Sequence, residues 1–254
     1  MKQKTVLITG ATSGIGKATA EQLAKQQYRV IICGRRQERL TNLQNTLLLQ
    51  TSQVHSLCFD VAKPEEVAHA IASLPPDFQD IDVLINNAGN AHGLAPIHEG
   101  DLRDWEAMID TNLKGLLYVS KCIIPQMVEK QRGHIINIGS IAGKEVYAQG
   151  NVYCASKFAV DALTQAMRID LHKYNIKVSA INPGLVETEF SLVRFKGDTE
   201  RAKKVYSGFT PLTATDIAEI IAFILSRPAH VNIADLLVLP TAQANTYLVN
   251  RKTE

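Results

Sequence analysis

The chain has 254 residues and a mass of 27.9 kDa, of which 46% of residues are hydrophobic and 20% are charged. This apolar fraction excludes a disordered chain, and no run approaches the roughly 20 apolar residues that a membrane-spanning helix requires. The 27 basic and 25 acidic residues give a net charge of +2, too small a bias to favour nucleic acid as a partner.

Short apolar runs of strand length alternate with longer helical patterns along the chain. In order, the sequence predicts a strand over 5–9, a helix over 15–26, a strand over 29–33, a helix over 37–50, a strand over 54–59, a helix beginning at Pro64, a strand over 82–86, a helix over 104–131 with a kink at Pro125, a strand over 134–138, a helix over 151–173, a strand over 177–182, a helix over 215–226 and a strand over 236–239. Apolar strands joined by helices are typical of a parallel sheet covered on both faces. The sequence therefore predicts one α/β domain over 1–254, a doubly wound Rossmann-type fold with about seven parallel strands.

Three other features of the chain bear on its organisation. The stretch 184–208 lacks strong periodicity, and a loop of that length is usually either functional or disordered. Residues 1–4 lead into too few apolar residues to form the core of a signal peptide. The four cysteines are far apart and form no CxxC pair, which predicts reduced, packed thiols and a cytoplasmic protein.

Glycines at positions 10, 14 and 16 follow the first strand and open the first helix. Glycine permits a tight turn and lets backbone amides approach a phosphate group without a Cβ in the way. The spacing differs from the G-x-G-x-x-G of most dinucleotide-binding folds, and an ordinary turn between strand and helix is the alternative. The position at the start of a βαβ chain favours a dinucleotide site.

The end of the second strand bears on the choice between NAD and NADP. An NAD site places an Asp or Glu there to bind the ribose 2′-hydroxyl, but this chain has Arg35 and Arg36, and the first carboxylate is Glu38. Guanidinium groups fit phosphate oxygens, whereas cations at a helix N-terminus are otherwise unfavourable. The sequence therefore predicts NADP, with a solvated arginine pair as the alternative.

A tyrosine and a lysine lie four residues apart on the predicted helix 151–173. Tyr153 and Lys157 therefore share one helix face, and Ser140 follows the strand 134–138 at the sheet edge where such folds bind ligands. Asn112 lies in the preceding helix, and the Asn-Asn-Ala-Gly run at 86–89 ends a strand at the same edge. A phenol exchanges protons poorly at neutral pH, but a nearby ammonium lowers its pKa, so this pair would suit acid–base chemistry. A lone Tyr-x-x-x-Lys spacing is common by chance, and the residues expected at the same edge give it weight.

Taken together, these motifs resemble the short-chain dehydrogenase/reductase family over the whole chain. The motifs are Thr9-Gly10-x-x-x-Gly14-x-Gly16, Asn86-Asn87-Ala88-Gly89, Asn112, Ser140, Tyr153-x-x-x-Lys157 and Pro183-Gly184. The resemblance implies that Tyr153 is the general acid/base, that Ser140 orients the carbonyl oxygen, that Lys157 holds the nicotinamide ribose and that Asn112 shapes a proton relay. It implies substrate contacts from Ser140 and Tyr153, and cofactor contacts from Gly10, Thr12, Ser13, Gly14, Ile15, Gly16, Arg35, Arg36, Asp60, Val61, Asn87, Ala88, Gly89, Tyr153, Lys157, Pro183, Gly184, Val186 and Thr188.

Four longer segments, 134–140, 184–191, 193–197 and 228–233, resemble the NADP-dependent 3-hydroxy acid dehydrogenase branch of that family, also called serine 3-dehydrogenases. The resemblance implies a cytoplasmic homotetramer that oxidises the 3-hydroxyl of serine, allo-threonine or 3-hydroxypropanoate and reduces malonic semialdehyde in reverse. A broad-range NADPH-dependent carbonyl or diketone reductase is an alternative within the family. A sensor that binds NADPH without catalysis is a third reading, which the intact catalytic set disfavours.

A hydroxy acid also brings a carboxylate, which needs a cation or several N–H donors in a desolvated site. Arg194 and Lys196 lie in the stretch 184–208, and the planar fork of Arg194 fits a carboxylate better. The alternative is that both are solvated loop charges. His92 and His98 are interpreted as polar loop residues, and no metal site is predicted.

Overall fold

The computed structural model describes residues 3–51 and 53–252. The ends of the predicted domain 1–254, and the first two of the residues 1–4 interpreted above, therefore lie outside the described residues. Over the described residues, the strands are β1 Thr5–Ile8, β2 Arg29–Gly34, β3 Val54–Cys58, β4 Val83–Asn86, β5 Gly133–Ile138, β6 Ile176–Pro183, β7 Val186–Glu187, β8 Leu212–Thr213 and β9 Asp235–Val238. The helices are α1 Gly14–Lys25, α2 Gln37–Leu48, α3 Pro64–Ala72, α4 Leu102–Ile109, α5 Gly115–Glu129, α6 Asn151–Leu171, α7 Phe190–Arg194, α8 Thr199–Lys204 and α9 Ala214–Leu225.

Within that part of the chain, seven strands form a parallel sheet in the order β3-β2-β1-β4-β5-β6-β9. Val6 of β1 lies opposite Val30 of β2 on one side and Val83 of β4 on the other. The chain reverses its direction of strand addition between β1 and β4, and doubly wound sheets bind ligands outside the carboxyl ends of the strands at such a point. The predicted doubly wound α/β fold is confirmed.

The sheet separates two hydrophobic layers, because alternate residues of each strand point to opposite faces. Val6 and Ile8 pack in the layer that contains Ile221 of α9, whereas Leu7 packs in the layer that contains Ile123 of α5. All five side chains are fully buried, and burying a side chain of this size contributes about 1.5–3 kcal/mol. The two layers cover both faces of the sheet, which leaves the loops at the carboxyl ends of its strands to form the site.

The predicted helix 104–131 is divided in two. It begins earlier, at Leu102, and a π-helical turn over Asp110–Lys114 separates α4 from α5. Such turns are rare and are frequently found at functional sites. A kink was predicted at Pro125, which lies inside α5. The π-helical turn lies earlier in the chain than this proline.

The segment 184–208 is structured, and the disordered alternative is wrong. β7 pairs in parallel with β8, and α8 is capped by Asp198, whose side chain accepts from the backbone N–H of Arg201. The Tyr206 hydroxyl donates to the carbonyl of Val186 at 3.0 Å. These elements are two to six residues long, which is too short for a sequence period to show.

The remaining differences from the predicted elements are small. The predicted helix 151–173 ends at Leu171 and continues as a 3-10 turn, His172–Tyr174.

The four cysteines are free, but Cys58 is exposed, so the expectation of packed thiols is wrong for that residue. In the described ranges 3–51 and 53–252, no helix is long and apolar enough to cross a membrane.

Candidate active site

The glycine turn lies between β1 and α1, at the reversal point of the sheet. Gly10 and Gly14 adopt left-handed conformations with φ of +64° and +52°, which L side chains rarely adopt. A Cβ on Gly16 would lie 2.4 Å from Nδ2 of Asn87 and 2.5 Å from the carbonyl oxygen of Gly10. The glycines are therefore required by the backbone path and by close packing, and they leave the N-terminus of α1 open to an anion.

Residues at the end of β4 hold the glycine turn in place. Asn87 Nδ2 donates to the carbonyl oxygens of Thr9 and Gly10 at 2.9 and 3.1 Å. The Thr9 hydroxyl accepts from the backbone N–H groups of Asn87 and Ala88, both at 3.0 Å. These reciprocal hydrogen bonds fix the turn against the next strand, so the cradle is formed by the chain itself.

Both predicted arginines lie beside this turn, at the end of β2. Arg35 is exposed, and its Nη1 is 3.4 Å from Oδ2 of Asp60. Arg36 Nη2 donates to Thr12 Oγ1 at 2.8 Å and to Ser13 Oγ at 3.1 Å. The guanidinium of Arg36 is thus held against the glycine turn, where a phosphate on an adenine ribose would meet it.

A single cavity of about 520 Å³ joins the glycine turn and the arginines to the predicted catalytic residues. Ser140, Tyr153, Lys157 and Arg194 line it, as do all predicted cofactor-binding residues except Gly16. Gly16 lies behind the turn, where its part is packing against Asn87. The roles assigned to these residues stay predictions, but the structure brings them to one site.

Ser140, Tyr153 and Lys157 are nearly buried in this cavity. Tyr153 and Lys157 lie one turn apart on α6, and Lys157 Nζ donates to the carbonyl of Ile138 at 2.9 Å. Ser140 caps the turn after β5, where its hydroxyl accepts from the N–H of Ala142 at 3.0 Å, and its side chain lies close enough to the Tyr153 phenol to lower the pKa of that phenol. The hydroxyls of Ser140 and Tyr153 therefore share one small volume that a substrate oxygen could occupy.

The buried environment shifts the pKa values of both titratable groups. Burial raises the pKa of Tyr153, as does the nearby Tyr147, and the Ser140 side chain only partly offsets this. Burial also lowers the pKa of Lys157 to about 8. The sequence predicted that the Lys157 ammonium would lower the pKa of the phenol. In this structure burial sets the direction of the shift, and the effect of the ammonium stays a prediction.

Asn112 occupies the π-helical turn and does not line the cavity. Its Nδ2 donates to the carbonyl of Asn90 at 2.9 Å and to Ser156 Oγ at 3.0 Å, and its Oδ1 accepts from the Asn90 N–H at 2.8 Å. A Cβ on Gly89 would lie 3.3 Å from Oδ1 of Asn112 and 3.6 Å from Nζ of Lys157. Asn112 therefore ties the loop after β4 to α6, one layer behind Lys157.

Arg194 reaches the cavity from α7. Its Nη1 donates to the Tyr147 hydroxyl at 2.7 Å and its Nε to the carbonyl of Gly93 at 3.2 Å. The guanidinium carbon lies 5.5 Å from the centre of the Tyr153 ring. Lys196, the other cation considered for a substrate carboxylate, is exposed and pairs with Asp104 at 2.9 Å instead.

Sequence reasoning missed several residues that form the site. Tyr147 orients Arg194, and the Phe190 ring packs against Tyr153 with 5.6 Å between ring centres. Arg39 and Glu189 form an ion pair beside Arg36. Only Arg39 carried a usable signal, since it follows Arg36 by one helical turn.

His92, interpreted as a polar loop residue, is half-buried near Asp104, and burial lowers its pKa. Across the described ranges, no cluster of His, Cys, Asp or Glu is placed to hold a metal ion.

The chain matches a known protein family and several named relatives. The family described as short chain dehydrogenase matches residues 4–198. The chain is 48% identical over 240 residues to the NADP-dependent 3-hydroxy acid dehydrogenase YdfG of Salmonella typhi, covering 94% of this chain and 96% of that protein. It is 43% identical over 240 residues to the serine 3-dehydrogenase of Rhizobium radiobacter, with 94% and 95% covered.

A solved structure shows the same fold. The closed form of a serine dehydrogenase complexed with NADP+ superimposes with a TM-score of 0.91 at 44% sequence identity, covering 98% of this chain and all of the other. The serine dehydrogenase of Escherichia coli has a TM-score of 0.83 at 40% identity, with 94% and 99% covered. The similarity thus extends over the sheet, the glycine turn and the segment over the cavity.

Proposed function

The chain belongs to the short-chain dehydrogenase family, and we propose that it is an NADP-dependent oxidoreductase that interconverts the 3-hydroxyl and 3-oxo groups of small 3-hydroxy acids. The substrates we propose are serine, allo-threonine and 3-hydroxypropanoate, with malonic semialdehyde as the oxo partner of the last. One observation carries the proposal: a single cavity holds an arginine-flanked glycine turn at one end and Ser140, Tyr153, Lys157 and Arg194 at the other. The names of the relatives support the same class of substrate.

The cofactor end fits NADP. The glycine turn lines the cavity at the N-terminus of α1, which favours the negative charge of a pyrophosphate. Arg35 and Arg36 would hold the 2′-phosphate, and charge-assisted hydrogen bonds to it would favour NADP over NAD. When bound, the nicotinamide donates or accepts the hydride. Lys157 would hold the nicotinamide ribose, and Asn87 fixes the glycine turn.

At the hydroxyl end, Tyr153 is the proposed proton acceptor during oxidation and the proton donor during reduction. Its phenol must lose a proton to accept one from the substrate, so the pKa raised by burial has to fall when the site is assembled. The Lys157 ammonium and the Ser140 hydroxyl are the groups positioned to stabilise that charge. Ser140 would also donate a hydrogen bond to the substrate oxygen.

The carboxylate end is proposed to be Arg194. A 3-hydroxy acid separates its hydroxyl carbon from its carboxylate by one carbon, so the cation must lie close to the phenol. The guanidinium of Arg194 meets this condition, and the Tyr147 hydroxyl and the Gly93 carbonyl fix its orientation. These two contacts use Nη1 and Nε of Arg194. Its Nη2 has no hydrogen bond to another of the described residues, so this nitrogen is available to a carboxylate oxygen.

The test is a panel of 3-hydroxy acids, serine and uncharged diketones, assayed with NADP and with NAD, on the wild type and on Arg194→Ala. We expect the variant to raise KM for the acids at least about tenfold, since a charge-assisted hydrogen bond contributes about 1.5–3 kcal/mol, and to change KM for the ketones little. Lys196→Ala is the matched control, because it removes a neighbouring cation paired elsewhere. Equal losses on charged and uncharged substrates would show that Arg194 supports the segment rather than binding the acid.

We also propose that the enzyme is a homotetramer in the cytoplasm. Phe158 and Ile169 on α6 and Leu117 on α5 are exposed apolar side chains, and an apolar face on these helices suits a helix–helix contact between copies. The free thiols support a reducing compartment. Light scattering of the purified protein measures the mass, and a monomer would contradict this assembly.

A further inference from the structure

The carboxylate of Glu189 lies against the arginines of the proposed 2′-phosphate site. Nη1 of Arg39 is 2.8 Å from both of its oxygens, and Nη1 of Arg36 is 3.3 Å from Oε2. The arginines belong to the end of β2 and to α2, whereas Glu189 directly precedes α7 in the segment over the cavity. This contact therefore joins two parts of the chain across the mouth of the cavity.

The guanidinium of Arg36 is in contact with the glycine turn and with Glu189 at once. It donates to Thr12 and Ser13 through Nη2 and to Glu189 through Nη1. Burial alone would raise the pKa of Glu189, but the hydrogen bonds from Arg39 and Arg36 outweigh this and hold the pKa below its usual value. Glu189 is therefore an anion at neutral pH, placed where a second anion is expected.

We propose that Glu189 competes with the 2′-phosphate of the cofactor for Arg36 and Arg39, and so sets the affinity for NADP and the rate of its release. This inference rests on the NADP site of the proposed function. A carboxylate and a phosphate accept hydrogen bonds from the same guanidinium N–H groups, and like charges at one site repel. NAD carries no 2′-phosphate, so its binding leaves the ion pairs of Glu189 in place.

The competition also gives Arg39 a part in cofactor choice. Arg39 follows Arg36 by one turn of α2, and its Nη1 points at the carboxylate that Arg36 shares. When a phosphate takes the place of the carboxylate, both guanidiniums become available to it. The chain thus offers the phosphate both Arg36 and Arg39, whose shared carboxylate partner is Glu189, while Arg35 pairs with Asp60.

The experiment compares Glu189→Gln with the wild type, using 2′,5′-ADP and 5′-AMP as probes that differ only in the 2′-phosphate. By titration calorimetry we expect the variant to bind 2′,5′-ADP about two- to fivefold more tightly, the range that exposed ion pairs contribute. Binding of 5′-AMP should stay unchanged. In stopped-flow fluorescence, NADPH release should slow by a similar factor, and the gain should shrink at high ionic strength.

Glu187→Gln is the matched control, because Glu187 is an exposed carboxylate two residues away in the same segment. It should leave the affinity for both probes as in the wild type. Unchanged affinity of Glu189→Gln for 2′,5′-ADP would overturn the competition, and weaker binding would overturn it by showing that Glu189 instead orients the arginines for the phosphate. If the wild type itself does not prefer 2′,5′-ADP over 5′-AMP, the proposed NADP site fails, and this inference fails with it.

Discussion

Burial of Lys157 predicts how the free energy of unfolding depends on pH, and the size of this effect follows from the pKa of the lysine. Burial lowers the pKa of Lys157 from 10.5 to about 8. A change of one in pKa corresponds to about 1.4 kcal/mol, so burying the ammonium lowers the free energy of unfolding by about 3 kcal/mol wherever the lysine is charged in both states. This cost is present in full below pH 8. It disappears as the pH rises from 8 to 10.5, because the folded protein then holds fewer protons than the unfolded chain.

The perturbation is Lys157→Met, which keeps most of the length of the side chain and removes the charge. The variant leaves the carbonyl of Ile138 without this donor, a loss that does not depend on pH. We therefore expect the free energy of unfolding of the variant, minus that of the wild type, to fall by about 3 kcal/mol between pH 7 and pH 10.5. Titrating groups that do not interact with Lys157 are common to both proteins and cancel in the difference, and the Tyr153 phenol, whose pKa burial raises, keeps its proton in the folded protein over this range.

Urea unfolding at a series of pH values measures this difference. Lys121→Met is the matched control, because the side chain of Lys121 is exposed on α5 and its ammonium stays hydrated. For the control we expect a difference that is constant across the series. Parallel stability curves for the wild type and Lys157→Met would refute the reasoning, since they would mean that burial of the lysine carries no cost that depends on its charge.

Two further predictions concern the two ends of the cavity. Tyr153→Phe keeps the ring and removes the phenol, so turnover should fall by about 10² or more while cofactor binding, measured by fluorescence titration, is retained; near-normal turnover would contradict the assignment of the proton carrier. Replacing Arg35 and Arg36 by alanine should weaken NADP binding tens-fold and change NAD binding little, on the scale of about 1.5–3 kcal/mol for each charge-assisted hydrogen bond. Arg103→Ala, at an exposed arginine that pairs with the neighbouring Asp101, is the control, and an unchanged ratio of NADP to NAD affinity would show that the arginine pair does not select the cofactor.

The sequence predicted those parts of the structure that depend on short-range pattern. Strands β1 to β6 and β9 are short, mostly apolar runs between turn residues, and the long helices carry a clear period, so their existence and order followed directly. The glycine turn and the Tyr153–Lys157 spacing are also local patterns. Their meeting at one edge followed from the rule that parallel strands present their carboxyl ends together.

The parts that escaped prediction depend on contacts between residues far apart in the chain. The π-helical turn at Asp110–Lys114 is accompanied by hydrogen bonds from Asn112 to Asn90 and Ser156, and no period in the sequence reports such contacts. The pairing of Glu189 with Arg39 spans 150 positions. The short elements β7, α7 and α8 depend on packing over the cavity, so local propensity says little about them.

The opposite pKa shifts of Tyr153 and Lys157 have one main physical cause, burial, and they bear on how the pair would act in the proposed reaction. Both side chains are buried in the same cavity, so each alone favours its uncharged form. A phenolate beside an ammonium, however, offsets the cost of both charges. Under the proposed function, the phenol therefore gives up its proton at least cost while the lysine remains charged, and the part proposed for Lys157 in the reaction lies in the charge that it keeps. A buried lysine with a pKa of about 8 is still charged at neutral pH, which is the condition that this pairing requires.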